Sequence, residues 1–377
     1  MLDSLYIKNY RNLEELKIQS LCQVNLIAGK NNTGKSTILE AISIYATRGS
    51  LANIFGLLEQ RGEYSRRNEG ENLTSIEESS VQSLSSLFSN RIARFSKEEG
   101  ICIGKINAEG NTDENVYLQF VKYQDKMDTD ATLNNSTTRY LKRVILEDSE
   151  NSEDHLIGFS VSSNNSSALQ PCNRPLSSYI SSYSSLNLPI DQHQLIGTRN
   201  IDREINGTLF DNIALSEKEQ YVVEALKIIE PLTERIAFIG TSLRERTAVI
   251  KLSNTQKVLP LSSMGDGINR ILTIILALVN CDKGYLLIDE FENGLHYSVQ
   301  EKLWKVIFKL AKDLDIQVFA STHSNDCIAS FESVLNEENN TISGKLIRLD
   351  NVNGQILETE FSAHELDIAN AQNIEIR

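Results

Sequence analysis

One eight-residue stretch constrains the fold of this 377-residue chain more than any other part of its sequence. The stretch Gly29-Lys30-Asn31-Asn32-Thr33-Gly34-Lys35-Ser36 has the spacing G-x-x-x-x-G-K-[ST]. Its glycines allow a tight turn whose backbone amides point inward at a phosphate. It follows an apolar run from Val24 to Ala28 and opens a helical pattern at Lys35. This order predicts a phosphate-binding loop, although an ordinary glycine-containing turn has the same outline.

The residue types of this loop predict a nucleotide site. Lys35 is expected to reach the β- and γ-phosphates, and Ser36 is expected to hold Mg²⁺. The predicted cofactors are therefore ATP and Mg²⁺. The predicted ATP-binding residues are Gly29, Lys30, Asn31, Asn32, Thr33, Gly34, Lys35, Ser36 and Thr37.

Two carboxylates follow an apolar strand pattern at Tyr285–Ile288. Alone, Asp289 and Glu290 would be typical of a solvated strand end. Combined with the phosphate loop, they predict that Asp289 supports Mg²⁺ and that Glu290 orients or deprotonates the attacking water.

A Ser/Gly turn lies before the helical pattern that ends at Val279. Ser262, Ser263, Gly265 and Gly267 combine hydroxyls and amides at a helix start, which suits an anion. A serine N-cap followed by glycine in a turn explains the same residues.

His323 ends the next strand pattern along the chain, Ile316–Ala320. A lone histidine is more often structural. At this place, however, a neutral imidazole is a candidate donor to the γ-phosphate.

Composition excludes several classes of protein. The five cysteines are far apart and form no Cys-x-x-Cys pair, which excludes a zinc ribbon and favours a reduced, cytoplasmic chain. The longest apolar run, Ile271–Val279, is too short for a membrane span, so no membrane association is expected. The net charge of −14 argues against indiscriminate binding to nucleic acid.

Regular patterns at both ends predict an α/β core that is interrupted in the middle. Alternation predicts strands within residues 2–29 and near Ile236–Ile239, Thr247–Leu252, 345–349 and 355–361. Helices are predicted near 35–47, 217–230, 265–279 and 296–314. Between residues 51 and 189 the chain is rich in Ser, Asn and Glu, with Ser-rich stretches at 75–89 and 160–185. This middle is expected to be an insertion of modest β and helical content with mobile loops.

Taken in order, these motifs resemble an ABC-type ATPase head, and more narrowly the RecF/SMC-like group that includes the overcoming-lysogenisation-defect (OLD) ATPases. The opening Leu5–Leu13 resembles that group's first hairpin, and Asp289–His296 resembles its combined Walker B motif and D-loop. The implied fold is an α/β P-loop NTPase: an ABC-type head with an N-terminal antiparallel hairpin and a large α+β insertion. The head would span residues 1–50 and 190–377, and the insertion 51–189.

The resemblance also implies a mechanism, ATP hydrolysis by a homodimer that sandwiches two ATP molecules. Ser263 and Gly265, within the signature set Ser262–Gly267, would complete the partner's site. Glu290 would activate water, and His323 would contact the γ-phosphate. The D-loop residues Glu292, Asn293 and Gly294 would lie at the dimer interface, and assembly beyond a dimer is left open.

This sequence departs from the group at three points. The signature is not Leu-Ser-Gly-Gly-Gln. The Q-loop glutamine, a further metal-site candidate, has no clear counterpart: Gln194 competes with Gln192, and both suit a strand edge equally well. No acidic nuclease module of the kind found in OLD enzymes follows Arg377, so a separate effector protein, with a nuclease as one candidate, is expected.

Several functions remain open at this stage. The first is an ATPase in DNA surveillance, repair or anti-phage defence. The others are a slow ATP-dependent switch or scaffold, a transporter ATPase subunit and a small-molecule P-loop kinase. DNA is a candidate partner mainly by resemblance, because solvated faces explain the small basic clusters equally well. The clusters are Arg61, Arg66 and Arg67; Arg91, Arg94 and Lys97; and Lys142 and Arg143.

Overall fold

The computed structural model describes residues 1–64, 73–107, 109–110, 112–131, 137–146, 155–174, 188–198, 203–240, 246–337 and 342–372. The chain forms two compact units. The first unit comprises Met1–Leu5, Ile18–Leu39 and Asp191–Arg377, and the second comprises Tyr6–Lys17 and Glu40–Ile190.

The strands of the described residues are numbered along the chain. They are β1 (Leu5–Tyr10), β2 (Leu13–Ile18), β3 (Val24–Gly29), β4 (Ile101–Ile106), β5 (Thr112–Ala131), β6 (Thr137–Ile145), β7 (Leu156–Ser163), β8 (Ser166–Pro171), β9 (His193–Ile196), β10 (Thr233–Ile239), β11 (Thr247–Leu252), β12 (Val258–Pro260), β13 (Tyr285–Ile288), β14 (Gln317–Thr322), β15 (Gly344–Val352) and β16 (Gln355–Phe361).

The helices are numbered in the same way. They are α1 (Lys35–Ala46), α2 (Leu51–Gln60), α3 (Leu73–Ser85), α4 (Arg203–Asp211), α5 (Glu217–Ile229), α6 (Asp266–Val279), α7 (Tyr297–Asp313), α8 (Asn325–Leu335) and α9 (Ala363–Ala371). No described helix has both the length and the apolar character needed to span a membrane.

The first unit is built on a six-stranded sheet in the order β16-β15-β3-β14-β13-β9. The contacts among β15, β3, β14, β13 and β9 are parallel, and β16 pairs antiparallel with β15. All residues of β3, β13 and β14 are buried, as expected for parallel strands covered on both faces. Because parallel strands end at the same edge, the residues after β3, β13 and β14 are brought together there.

Helices complete the core of the first unit. The apolar residues of α6 are buried, and the α7 residue Trp304 stacks on Phe291 with ring centroids 4.1 Å apart. The antiparallel strands β10, β11 and β12 form a second, smaller sheet. The strands and helices predicted at both ends of the chain are confirmed within a few residues, as is the α/β fold class.

The second unit contains more regular β structure than its composition suggests. Its seven-stranded sheet has the order β2-β1-β4-β5-β7-β8, with β6 paired to β5. The helix α3 and the strands β7 and β8 overlap the Ser-rich stretches at 75–89 and 160–185, so these parts of the chain have more than the modest β and helical content predicted for the insertion. In β7, Ser160 and Ser163 are buried together with Phe159 and Val161. Because neighbouring residues of a strand face opposite sides, both faces of β7 are covered at this point, despite its serine content. The predicted domain limits at 50 and 190 stay a prediction. The second unit takes in Tyr6–Lys17 as well, and its longer segment begins at Glu40.

A buried ion-pair network ties together the elements of the second unit. Arg11, in the turn between β1 and β2, lies 2.8 Å from both Glu40 and Glu63. Arg61 also pairs with Glu40, and Arg91 with Glu63. Burial alone would raise the pKa of Glu63, but the hydrogen bond and charge of Arg11 lower it instead. Buried charges are tolerated when they are paired in this way.

Candidate functional site

The phosphate loop connects β3 to α1, and its glycines are required by geometry. A Cβ on Gly29 would lie 2.6 Å from the carbonyl oxygen of Leu349 and 2.8 Å from the hydroxyl of Thr33. Gly34 has a φ of +90°, where a side chain is strained. Lys30, Asn31 and Asn32 are exposed along the loop, whereas Thr33 and Thr37 are buried.

Lys35 is the buried charge of this loop. Its side chain is 8% exposed, and Nζ donates hydrogen bonds of 2.7 Å to the carbonyls of Gly29 and Lys30. Burial lowers the pKa of Lys35, while Asp289, Glu292 and Glu290 act in the opposite direction. The ammonium therefore lies inside the turn, where its positive charge would stabilise a phosphate.

Ser36 and Asp289 meet across the edge of the sheet although 253 positions separate them. The hydroxyl of Ser36 donates to Oδ1 of Asp289 over 3.0 Å. Ser321, at the end of β14, donates to the same oxygen over 2.6 Å. A hydroxyl and a carboxylate are the hard oxygen ligands that Mg²⁺ prefers, so the donor set fits this ion.

Glu290 has an unusual backbone conformation directly after Asp289. Its φ is +47°, in a region that a residue other than glycine seldom adopts. The hydroxyl of Ser321 accepts the Glu290 N–H over 2.8 Å, which helps to hold this turn. Such strain often concentrates at functional positions and is consistent with a catalytic role for Glu290.

Arg270 on α6 is a further part of this site. Its guanidinium donates to the carbonyls of Gly197 and Asp289 over 2.8 Å and to that of Glu290 over 3.3 Å. Burial lowers the pKa of Arg270, and the three acidic residues nearby oppose this shift. One buried side chain therefore links α6 to the backbone of Asp289 and Glu290.

We expect Arg270→Met to destabilise the protein and to reduce ATP hydrolysis. Each buried carbonyl left without its donor costs about 1–3 kcal/mol, and the turn at Glu290 loses its support. Denaturant unfolding and phosphate release measure the two effects. Arg235→Met, on an exposed residue of β10, is the matched control and should change stability by less than about 0.5 kcal/mol. Unfolding of Arg270→Met at the wild-type midpoint would show that these contacts do not hold the strand end.

His323 and Glu292 meet at the same edge of the sheet. Nδ1 of His323 lies 3.0 Å from Oε1 of Glu292. Glu292 was predicted only as a D-loop residue at a dimer interface, yet its carboxylate contacts groups of its own chain. Asn293 and Gly294, by contrast, are exposed, and the amide of Asn293 donates to the carbonyl of Thr198 over 3.2 Å.

The signature residues lie at the start of α6. Ser262, Ser263 and Gly265 are exposed, and the hydroxyl of Ser263 donates to the carbonyl of Pro260 over 2.7 Å. Gly265 has a φ of +101° and open space where a Cβ would be. A Cβ on Gly267 would lie 2.9 Å from the carbonyl oxygen of Gly294, so the turn also packs against the D-loop.

Gln194 does not lie at the edge of the sheet where Ser36 and Asp289 meet. It lies inside β9 opposite Leu286, three residues before the level of Asp289. At about 3.3 Å per residue, that is roughly 10 Å along the strand. The geometry therefore does not support Gln194 as a metal ligand. Gln192 lies still further back along the chain, before β9 begins.

Sequence reasoning missed Ser321, Arg270 and the contact of Glu292 with His323. Arg270 carried a usable signal, because it is the only charged residue between Ile268 and Val279, where most residues are apolar. A cation at such a position needs a buried partner. Ser321 carried a weaker signal, as a small polar residue at the end of a buried strand.

The chain is similar to known proteins in its sequence and in its fold. The model of a family described as "AAA ATPase domain" matches residues 1–328. A Helicobacter pylori protein named "ATP/GTP phosphatase" is 24% identical over 380 residues, which cover 97% of each chain. An uncharacterized Methanocaldococcus jannaschii protein is 51% identical over 45 residues, 12% of this chain and 20% of its own.

Among solved structures, an SMC head bound to the C-winged helix domain of ScpA aligns with a TM-score of 0.51. The alignment covers 99% of both chains at 13% identity. The likeness at this identity concerns the fold, which is that of a P-loop ATPase head.

Proposed function

Since the chain belongs to the AAA ATPase domain family and is an ATPase, we propose that it hydrolyses ATP at the Gly29–Ser36 loop between two copies of itself. The observation that carries this proposal is the contact of Ser36 with Asp289, 3.0 Å between oxygens. It joins the phosphate loop to the acidic strand end that P-loop ATPases need for the metal.

Each residue of the site has a role in this proposal. Lys35 binds the phosphates, and Ser36 and Asp289 would hold Mg²⁺. The ion would supply positive charge that neutralises the phosphate oxygens. Glu290 orients and deprotonates the water that attacks the terminal phosphate. His323, which follows the adjoining strand β14, is proposed to contact the same phosphate.

The signature turn is proposed to act on the partner's nucleotide. Ser262, Ser263 and Gly265 are exposed at the start of the 14-residue helix α6, where the helix dipole favours an anion. In a symmetric dimer, the same turn from each copy would complete the other copy's site.

A mixing experiment tests this arrangement. Lys35→Ala disables the phosphate loop, and Ser263→Arg blocks the signature turn, so each variant alone should be inactive. Mixed dimers would contain one site with an intact loop and an intact signature turn. We therefore expect about a quarter of the wild-type rate from an equimolar mixture, because about half of the dimers are mixed.

Ser333→Arg, on an exposed residue of α8, is the control and should stay active alone. A mixture that is as inactive as its components, with both variants folded and exchanging subunits, would show that the signature turn does not act in trans.

The cellular role is proposed at a coarser level. We infer a cytoplasmic ATPase that acts with a separate effector, a nuclease being one candidate, in DNA surveillance, repair or anti-phage defence. The support is the resemblance of the motifs and of the fold to SMC-type heads. An alternative hypothesis is that the protein is a slow switch or scaffold controlled by ATP. Tight retention of ATP and a turnover far below about 1 per second would favour this alternative. A transporter subunit is a weaker alternative.

The basic clusters give little support to direct DNA binding. Arg61 pairs with Glu40, Arg91 with Glu63, Arg94 with Glu99, and Arg143 with Asp125. Arg66 and Arg67 lie outside the described residues. DNA therefore stays a candidate partner by resemblance alone, and the absence of salt-dependent binding to duplex DNA would remove it.

A further inference from the structure

We propose that Glu292 is a positioning residue for His323, which it holds with Nδ1 protonated and with Nε2 free to face the terminal phosphate. The catalytic consequence of this inference rests on the role proposed above for His323. The placement of the proton on the ring does not depend on that role.

The carboxylate of Glu292 is nearly enclosed, with a side chain that is 12% exposed. It receives three contacts from the end of β14. Thr322 donates its hydroxyl to Oε2 over 2.8 Å. The backbone N–H of His323 donates to Oε1 over 2.8 Å, and Nδ1 of the same residue lies 3.0 Å from Oε1. Backbone and ring of His323 are thus held by one acceptor.

This acceptor fixes which ring nitrogen carries a proton. A carboxylate that already receives a hydroxyl and a backbone N–H acts as an acceptor, so the ring nitrogen facing it must donate. Nδ1 therefore carries the proton in both the neutral and the charged imidazole. The arrangement resembles other functional histidines whose orientation is set by a carboxylate on the second nitrogen.

This geometry corrects one detail of the sequence-based expectation. A neutral ring with its proton on Nδ1 has a lone pair on Nε2 and cannot donate from that nitrogen. Donation from Nε2 to a phosphate then requires a proton on both ring nitrogens.

The position of Glu292 along the chain explains how it reaches the histidine. Ile288 pairs with Ala320, so the residues after the two strands continue side by side. The N–H of Phe291 donates to the carbonyl of Ser321 over 2.9 Å, which turns the chain across the end of β14. The following side chain, that of Glu292, then lies against Thr322 and His323. The His323 side chain remains 47% exposed, so its other nitrogen is accessible to a ligand.

The direct test is the tautomer of His323 in the nucleotide-free, full-length protein. The chain has five histidines, so ¹⁵N-histidine labelling gives a simple spectrum, and His323→Gln assigns the signal. At a pH where the ring is neutral, long-range ¹H–¹⁵N correlations should show the proton on Nδ1. Glu292→Ala should remove this preference. Glu292→Gln should keep it, because its carbonyl can still accept while its NH₂ donates to the hydroxyl of Thr322.

The kinetic test uses the same variants. We expect Glu292→Ala to lower kcat by about 10- to 100-fold, the usual cost when a ligating histidine loses its orienting partner, with KM for ATP little changed. Glu292→Gln should recover part of this loss. Glu301→Ala, on the surface of α7, is the matched control and should alter neither the spectrum nor kcat.

The two readouts separate two kinds of failure. A wild-type His323 that carries its proton on Nε2 would overturn the positioning inference, whatever the activity. The expected tautomer combined with normal hydrolysis by His323→Gln would leave the positioning intact but refute the catalytic role proposed for the histidine. Because the wild-type spectrum alone decides the tautomer, the test stands even if Glu292→Ala does not fold.

Discussion

Lys35→Ala is expected to lower ATP turnover by at least about 10²-fold, the usual cost of removing one preorganised donor from a site of developing negative charge. The ammonium of Lys35 is buried within the loop, whereas Lys30, the other lysine of the loop, is exposed. Phosphate release measures the rate, and calorimetric titration with ATP measures whether the nucleotide still binds.

Two controls make this result interpretable. Lys302→Ala removes an exposed lysine of α7 and should leave turnover unchanged. The unfolding midpoint of Lys35→Ala shows whether the loop variant is folded. A folded Lys35→Ala protein with wild-type turnover would place hydrolysis elsewhere in the chain and would refute the proposed site.

Glu290→Gln should have two large effects, on rate and on molar mass. Removing the general base is expected to lower turnover by about 10²–10⁴-fold. Because the nucleotide then persists, light scattering with Mg-ATP should show the 42.3 kDa chain at twice its mass. Without nucleotide, the same variant should remain at the monomer mass.

Lys35→Ala combined with Glu290→Gln should not double its mass, since it cannot hold the phosphates that bridge the two copies. Glu217→Gln, on an exposed residue of α5, should behave as the wild type. If Glu290→Gln binds ATP but its mass does not change, closure of the dimer needs a partner protein, or the signature turn has a different role.

Local patterns in the sequence were sufficient to predict the candidate site residues that follow the ends of strands. The G-x-x-x-x-G-K-[ST] spacing located Lys35 and Ser36, and the apolar strand before Asp289 located the second half of the site. Their meeting followed from one topological rule, that parallel strands end at the same edge of the sheet. In the structure, the two halves of the site meet where Ser36 donates to Asp289 over 3.0 Å.

The features that the sequence did not predict depend on tertiary contacts. The sequence indicates that Arg270 needs a buried partner, but only the fold shows that its partners are the carbonyls of Gly197, Asp289 and Glu290. The side chain of Glu292 could have faced a partner or its own chain, and only the turn after β13 decides between them. In the second unit, the serine-rich composition suggested only modest β content, whereas the structure places residues 156–163 in the strand β7, with Phe159 and Val161 buried.

The hydrogen bonds of Lys35 to the carbonyls of Gly29 and Lys30 have a consequence for nucleotide exchange. These two hydrogen bonds within the chain help to hold the loop in its curved form. ATP therefore meets a preorganised receptor, and little conformational entropy is lost when it arrives. The free energy of binding then remains available for drawing two subunits together, and ADP can leave without unfolding the cradle that held it.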